Sequence, residues 1–172
     1  FDATPDDVKR VFGELDDLPG PLSIDTQDPA LIAAGLFRAD LVLSLSDRNI
    51  GPVGGRVAEC GAGAVVVPGD RSLAENIRLA ESAGISCSIA DPLIAPVGSG
   101  LVPSFSNFSD PGYPLFFGAG NVAELLDADS IGANALLAGM AMEVEASVIF
   151  TSEHSDKTRG SVSEMRRATE MM

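Results

Sequence analysis

Apolar and polar positions along the chain switch repeatedly between a helical and an extended period. Thr4-Pro5-Asp6-Asp7 supplies a cap residue, a proline for the first helical position and two first-turn acids, and Val8, Val11, Phe12 and Leu15 follow at helical spacing. The spacing predicts a helix over about 5–17. Pro19-Gly20-Pro21 then breaks the chain, and Leu22-Ser23-Ile24-Asp25-Thr26 reads as a short strand ending in polar residues. Asp28-Pro29 restarts a helix through Ala30, Ile32, Ala33 and Leu36, and Leu41-Val42-Leu43-Ser44-Leu45 is the next strand. A short helix near 52–61 leads to the strand Ala64-Val65-Val66-Val67. Arg71–Ala83 reads as a helix stopped by Gly84, ahead of a strand from Ile85 to Asp91. The stretch Pro92–Gly112 is rich in Pro, Gly and Ser, with at most one short helix around Leu101–Phe108. Beyond it lie the strand Leu115-Phe116-Phe117, two helical pieces over Asn121–Met142, the strand Ser147-Val148-Ile149-Phe150 and a closing helix over Ser161–Met171.

Six strands thus alternate with helices. Their ends fall at Asp25, Ser44, Pro68, Asp91, Gly118 and Thr151, a repeat of roughly 20 to 33 residues that suits βα units joined by right-handed crossovers. The strands are nearly continuous apolar runs, as expected when both faces are covered. The fold class predicted is α/β, a (β/α)8 TIM-type barrel showing six of its eight strands, with an open parallel sheet as the alternative. The chain opens on Phe1, not Met, and directly on a helix start, so one or two N-terminal units are expected to be missing. At 172 residues, a single domain spanning 1–172 is the expectation. No Gly-x-Gly-x-x-Gly follows the first strand and no Gly-x-x-x-x-Gly-Lys occurs, which argues against a nucleotide-binding sheet.

Composition narrows the partners. Hydrophobic residues make up 45% of the chain against 21% charged, which excludes disorder. The net charge of -14 arises from 25 acidic against 11 basic residues, so the basic stripe that a phosphate backbone requires is absent and nucleic acid is disfavoured. No run approaches the roughly 18 apolar residues of a membrane span, and no signal-peptide core precedes the first helix, so a cytoplasmic protein without membrane contact is expected. Cys60 and Cys87 lie in apolar sequence with no metal-ligand spacing and are read as reduced packing residues. His154 is the sole histidine, so neither a histidine metal site nor a Ser-His-Asp triad can be assembled.

In a barrel the ligand sits at the carboxyl ends of the strands, where Asp25 and Asp91 each follow an apolar run. Each reads equally well as a strand-end acid capping the next helix, since Asp25 is close to Asp28-Pro29 and Asp91 precedes Pro92. The wording around them carries a resemblance. Pro21-Leu22-Ser23-Ile24-Asp25-Thr26 resembles the third barrel strand of dihydropteroate synthases, and Ala90-Asp91-Pro92-Leu93-Ile94 resembles the sixth strand of those synthases and of methyltetrahydrofolate:corrinoid methyltransferases. Phe117-Gly118-Ala119-Gly120-Asn121 is similar to the seventh-strand Gly-x-Ser-Asn of the methyltransferases. The chain most resembles the dihydropteroate synthase-like proteins of archaea and some methylotrophs, through Gly120-Asn121-Val122 and the Thr151-Ser-Glu-His-Ser-x-Lys-Thr-Arg-Gly160 run. These motifs are thin, yet they stand in order from Asp2 onward.

The resemblance implies a pterin ligand. Asp91 would accept the paired N–H donors of the 2-amino-4-oxo edge, and Asp25 would accept or relay at the adjacent edge. Ser44, with a register uncertain by one residue, stands where the family places an asparagine. Gly118 and Gly120 would let the backbone approach the ring, and Asn121 would reach toward it. Two departures stand out: Gly120-Asn121-Val122 replaces the synthase's Ser-Arg-Lys, and Phe150-Thr151-Ser152-Glu153-His154 lacks the arginine of its Arg-x-His. Lys157 and Arg159 would then supply phosphate-binding charge, unless they form a solvated basic loop. His154 is a candidate general acid/base or phosphate contact, kept protonated by Glu153 and Asp156, or else a solvated or capping residue.

The implied activity is a transferase condensing an activated hydroxymethyl-dihydropterin with an arylamine in tetrahydromethanopterin or folate-type biosynthesis, with ribofuranosylaminobenzene phosphate as the amine. Mg2+ would accompany a pyrophosphate substrate, and no resident cofactor is implied. The alternatives are methyl transfer from a pterin to a corrinoid partner and a non-catalytic pterin-binding module. A homodimer is expected by the same resemblance.

Overall fold

The computed structural model describes residues 3–109 and 112–172. They fall into two compact units, residues 1–90 and 91–172. The first unit runs α1 (Pro5–Glu14), β1 (Ser23–Asp25), α2 (Pro29–Gly35), β2 (Leu41–Leu45), α3 (Ile50–Cys60), β3 (Gly63–Val66), α4 (Leu73–Ser82) and β4 (Ser88–Ala90). Its helices start where the sequence caps them. Thr4 and Asp7 exchange side-chain and backbone hydrogen bonds ahead of α1, Ser72 and Glu75 do the same ahead of α4, and Asp28 Oδ1 accepts from the Ala30 amide ahead of α2. The four strands form one parallel sheet in the order β1-β2-β3-β4, with Ile24 beside Val42, Val42 beside Ala64 and Val65 beside Ile89. Helices must cover a sheet of this kind, and the fully buried Ile32, Val42, Leu45, Val53, Val57, Val66 and Ile77 form that helix-on-sheet core.

The second unit runs α5 (Leu101–Ser104), a 3-10 turn over Phe105–Phe108, β5 (Phe116–Gly118), α6 (Ala119–Leu125), α7 (Ser130–Glu143), β6 (Val148–Phe150), a second 3-10 turn over Asp156–Thr158 and α8 (Ser161–Met171). β5 and β6 pair in parallel, Phe117 beside Ile149. Phe117 is fully buried, with ring centroids 6.1 Å from Phe105 and 5.5 Å from Phe108, so the 3-10 turn over Phe105–Phe108 is tied to β5 by aromatic packing. Helices α7 and α8 are joined through the buried Asn134, whose Nδ2 donates to Ser161 Oγ at 3.0 Å and to Glu164 Oε2 at 2.9 Å. Among the described residues no helix is long and apolar enough to cross a membrane.

The strands are shorter than their apolar runs. Ile85 to Cys87 were expected in β4, but Gly84, with φ of 93°, and Ile85 form a Schellman turn that satisfies the last carbonyls of α4, through Gly84 N–H to Glu81 and Ile85 N–H to Ala80. The ladder therefore starts at Ser88. Helix α1 ends at Glu14, short of the expected 17, and α3 begins two residues early, at Ile50. Cys60 and Cys87 are free thiols as expected, but both are exposed. Their reading as packing residues is corrected: Cys60 is the last residue of α3 and Cys87 lies in the turn segment before β4.

Candidate functional site

In the first unit, β2 carries a bulge. Between the Val42–Ala64 and Leu45–Val66 pairings, three steps along β2 match two along β3, and Ser44 sits inside that shift with φ of 64°. Left-handed backbone is costly for a serine, and here it turns the side chain toward the neighbouring strand. Ser44 Oγ donates to Asp25 Oδ1 at 2.8 Å, so the bulge fixes the carboxylate at the end of β1. Asp25 is exposed, and its Oδ2 has no partner among the described residues. The buried Asn49 supports the bulge from beneath: its Nδ2 donates to the Ser44 carbonyl at 3.2 Å and to the Gln27 carbonyl at 3.5 Å, and its Oδ1 accepts from the Ser46 amide at 2.9 Å. The sequence reading missed Asn49. Asp25 and Thr26 also line a cleft of about 340 Å³ whose apolar lining includes Val8, Val11, Phe12 and Leu31.

Asp91 opens the second unit and is 7% exposed. Its Oδ1 accepts from the Leu93 amide at 2.9 Å, and Leu93 takes a left-handed φ of 63°. This is a local turn and not the cap on the following helix that the sequence offered as the alternative to a ligand role, since that helix starts only at Leu101.

Gly118, at the end of β5, is buried, and an added Cβ would meet nothing closer than Phe116 Cε1 at 3.9 Å. Gly120 is different: a Cβ there would meet Ser152 Oγ at 3.2 Å and Phe150 Cε1 at 3.3 Å, so its smallness serves packing against the end of β6. Asn121 is exposed, and its side chain has no partner among the described residues.

The loop after β6 is folded around one carboxylate that the sequence reading did not single out. Glu124, on α6, accepts at Oε1 from Thr158 Oγ1 at 2.6 Å, the His154 amide at 2.7 Å and Ser152 Oγ at 3.2 Å, and at Oε2 from Ser155 Oγ at 2.7 Å. These donors, the Thr158 hydroxyl foremost, hold its carboxyl at about 2, well below the ordinary 4.5, although partial burial acts the other way. Glu153, expected beside the His154 imidazole, instead accepts from the Val162 amide at 3.1 Å. The first turn of α8 leaves its N–H groups without helical partners, and a carboxylate suits them best. The side chains of His154, Lys157 and Arg159 are exposed, and neither cation forms an ion pair among the described residues. Among the described residues no group of three or more His, Cys, Asp or Glu is arranged to hold a metal ion. The structure thus brings Asp25 together with Ser44, and gathers His154, Lys157 and Arg159 on one loop anchored by Glu124.

No family profile matches the chain. It is 35% identical over 188 aligned positions to an uncharacterized protein of Methanocaldococcus jannaschii, which it covers to only 35% of that protein's length while aligning 96% of its own. The chain therefore spans about a third of the curated relative. In structure it is similar to the dihydropteroate synthase of Thermus thermophilus in complex with 4-aminobenzoate, with a TM-score of 0.74 and 17% identity over 94% of this chain and 73% of that one. It is also similar to the Yersinia pestis synthase with a pterine-sulfa conjugate (TM-score 0.70, 19% identity, 97% and 75% covered) and to the Coxiella burnetii synthase with pteroic acid (TM-score 0.65, 20% identity, 96% and 72% covered). At such identities the likeness is one of architecture, and together with the parallel βα succession it establishes that this chain has the dihydropteroate synthase-like fold of the α/β barrel class.

Proposed function

We propose that this chain binds a pterin and acts as a dihydropteroate synthase-like transferase, condensing an activated hydroxymethyl-dihydropterin with an arylamine. The observation that carries the reading is the Asp25–Ser44 pair: a strand-end carboxylate whose one oxygen is fixed by a hydroxyl while the other has no partner among the described residues. The amino and ring N–H donors of a pterin edge match a carboxylate held in that way. Asp91, nearly buried and holding the Leu93 amide, is the second unit's own candidate carboxylate for a pterin.

The reaction asks little covalent help of the protein. A loose displacement of pyrophosphate from the pterin methylene needs positioning and anion stabilisation, which Lys157 and Arg159 would supply at the leaving group or at a phosphate on the amine. His154 would serve as a phosphate contact or as the acid/base for the arylamine proton. Any Mg2+ would arrive with the pyrophosphate substrate and be held chiefly by its oxygens. The Asn121 amide, exposed and without a partner among the described residues, favours one second reading, in which it bonds the pterin N5 and the methylated pterin is presented to a corrinoid partner.

Incubation with 6-hydroxymethyl-dihydropterin pyrophosphate and an arylamine, followed by pyrophosphate release and mass analysis of the pterin product, tests the proposal. Coupled product with stoichiometric pyrophosphate supports the transferase. Methyl transfer from a methylated pterin to cobalamin, without coupled product, would favour the second reading. Pterin binding with neither reaction would reduce the protein to a binding module.

A further inference from the structure

Glu124 is out of proportion to any packing need. Its carboxylate lies on α6 yet collects four donors from Ser152, His154, Ser155 and Thr158, all in the loop that follows β6. That loop carries Lys157 and Arg159, and Lys157 is one of only two lysines in a chain of net charge -14. A lysine and an arginine on an unanchored loop would lose most of their attraction for an anion to the cost of ordering the chain. The nearby acids would also compete for them. Here Glu124 is saturated by hydroxyl and amide donors and Glu153 is spent on the Val162 amide at the start of α8, so neither binds the two cations.

We infer that Glu124 is a positioning residue: by accepting from Thr158, Ser155, Ser152 and the His154 amide, it folds the loop so that Lys157 and Arg159 are presented as a preformed receptor for a phosphate or pyrophosphate group. This rests on the reading of those two cations as anion ligands given above. The anion is the pyrophosphate of the pterin substrate or a phosphate on the amine, which share the same oxygen chemistry.

The role gives opposite signs to charge and geometry. Removing a negative charge close to an anion site should tighten binding if Glu124 acts only through its field, and loosen it if Glu124 acts by holding the loop. Calorimetric titration with pyrophosphate, and separately with inorganic phosphate, is run on the unmodified chain, Glu124→Gln, Glu124→Asp and Lys157→Ala/Arg159→Ala. Affinity for 6-hydroxymethylpterin is measured alongside. Both Glu124 variants should weaken pyrophosphate binding by about tenfold, the effect of losing one hydrogen bond to a charged group, and leave pterin affinity unchanged. The aspartate keeps the charge but is one methylene too short, so it carries the test if the glutamine variant folds poorly. The His154 amide should also exchange faster in both variants while the β6 amides stay protected. A stronger response to pyrophosphate than to phosphate would identify the substrate pyrophosphate as the source, and the reverse the phosphorylated amine. Pyrophosphate binding equal to or tighter than that of the unmodified chain in Glu124→Gln, with Glu124→Asp unchanged, overturns the positioning role. Equal binding in the Lys157/Arg159 variant, or none in the unmodified chain, overturns the anion receptor itself and leaves the pterin reading to be judged on pterin affinity alone.

Discussion

Ser44 reaches Asp25 across two adjacent strands, donating to Oδ1 at 2.8 Å from a left-handed backbone. The strain and the hydrogen bond can be separated. Ser44→Gly and Ser44→Ala both delete the hydroxyl, but glycine accepts a φ of 64° without the Cβ clash, so the glycine variant should be the more stable by about 1 kcal/mol. Both variants should lose pterin affinity to a similar extent, severalfold, as a loosened carboxylate would dictate. Thermal melting and fluorescence titration of the pair check this; affinity that tracked stability would point to strain and not to the hydroxyl.

Acid should erase what Glu124 contributes. Folding lowers its carboxyl from 4.5 to about 2, so between those values the unfolded chain binds the extra proton and stability rises with pH. The contribution is whole above about 4.5 and is lost as the pH falls through about 2. Denaturant melts of the unmodified chain and Glu124→Gln should differ most at neutral pH and converge across that window. A difference that does not change with pH would contradict the four-donor arrangement.

The two glycines near the end of β5 should respond differently to alanine. Gly120→Ala brings a methyl to 3.2 Å from Ser152 Oγ and 3.3 Å from Phe150, so one of them must give way and the variant should melt below Gly118→Ala. Gly118→Ala has room and should leave the melting temperature nearly unchanged. If the backbone at Gly118 also lies against a pterin ring, that same variant lowers pterin affinity without a stability change.

Phe117, fully buried between Phe105 and Phe108, is the keystone of the second unit's aromatic cluster. Phe117→Ala should cost about 3–5 kcal/mol in equilibrium unfolding. A cost below about 1 kcal/mol would mean that the segment before β5 is held by something other than this cluster.

Local signals carried most of the fold. Thr4, Asp28 and Ser72 cap helices where their side chains require it, and Asp25 ends its strand as the polar break after Ile24 predicts. What stayed hidden depends on partners distant in sequence. The bulge at Ser44 exists only relative to β3, and no pattern within Leu41–Leu45 announces it. Glu124 meets its donors across 28 to 34 residues, and inside the apolar run of α6 it reads as one more solvent-facing acid. Asn49, between Arg48 and Ile50 at a helix start, reads as a cap, whereas its amide is spent on Gln27 after β1, on Ser44 in the β2 bulge and on Ser46 just after β2. Glu153, beside His154 in sequence, reads as its ionic partner, but backbone direction sends the carboxylate to α8.

The most direct test of the proposed pterin site is a fluorescence titration with 6-hydroxymethylpterin, comparing the unmodified chain with Asp25→Asn. The asparagine keeps the shape but turns an acceptor-only group into one that also presents N–H donors toward the ligand's own donors. Saturable binding to the unmodified chain, weakened at least about tenfold by Asp25→Asn with an unchanged melting temperature, is the result predicted. No saturable signal, or equal affinity in the two proteins, would contradict the assignment of Asp25 as the carboxylate that grips a pterin.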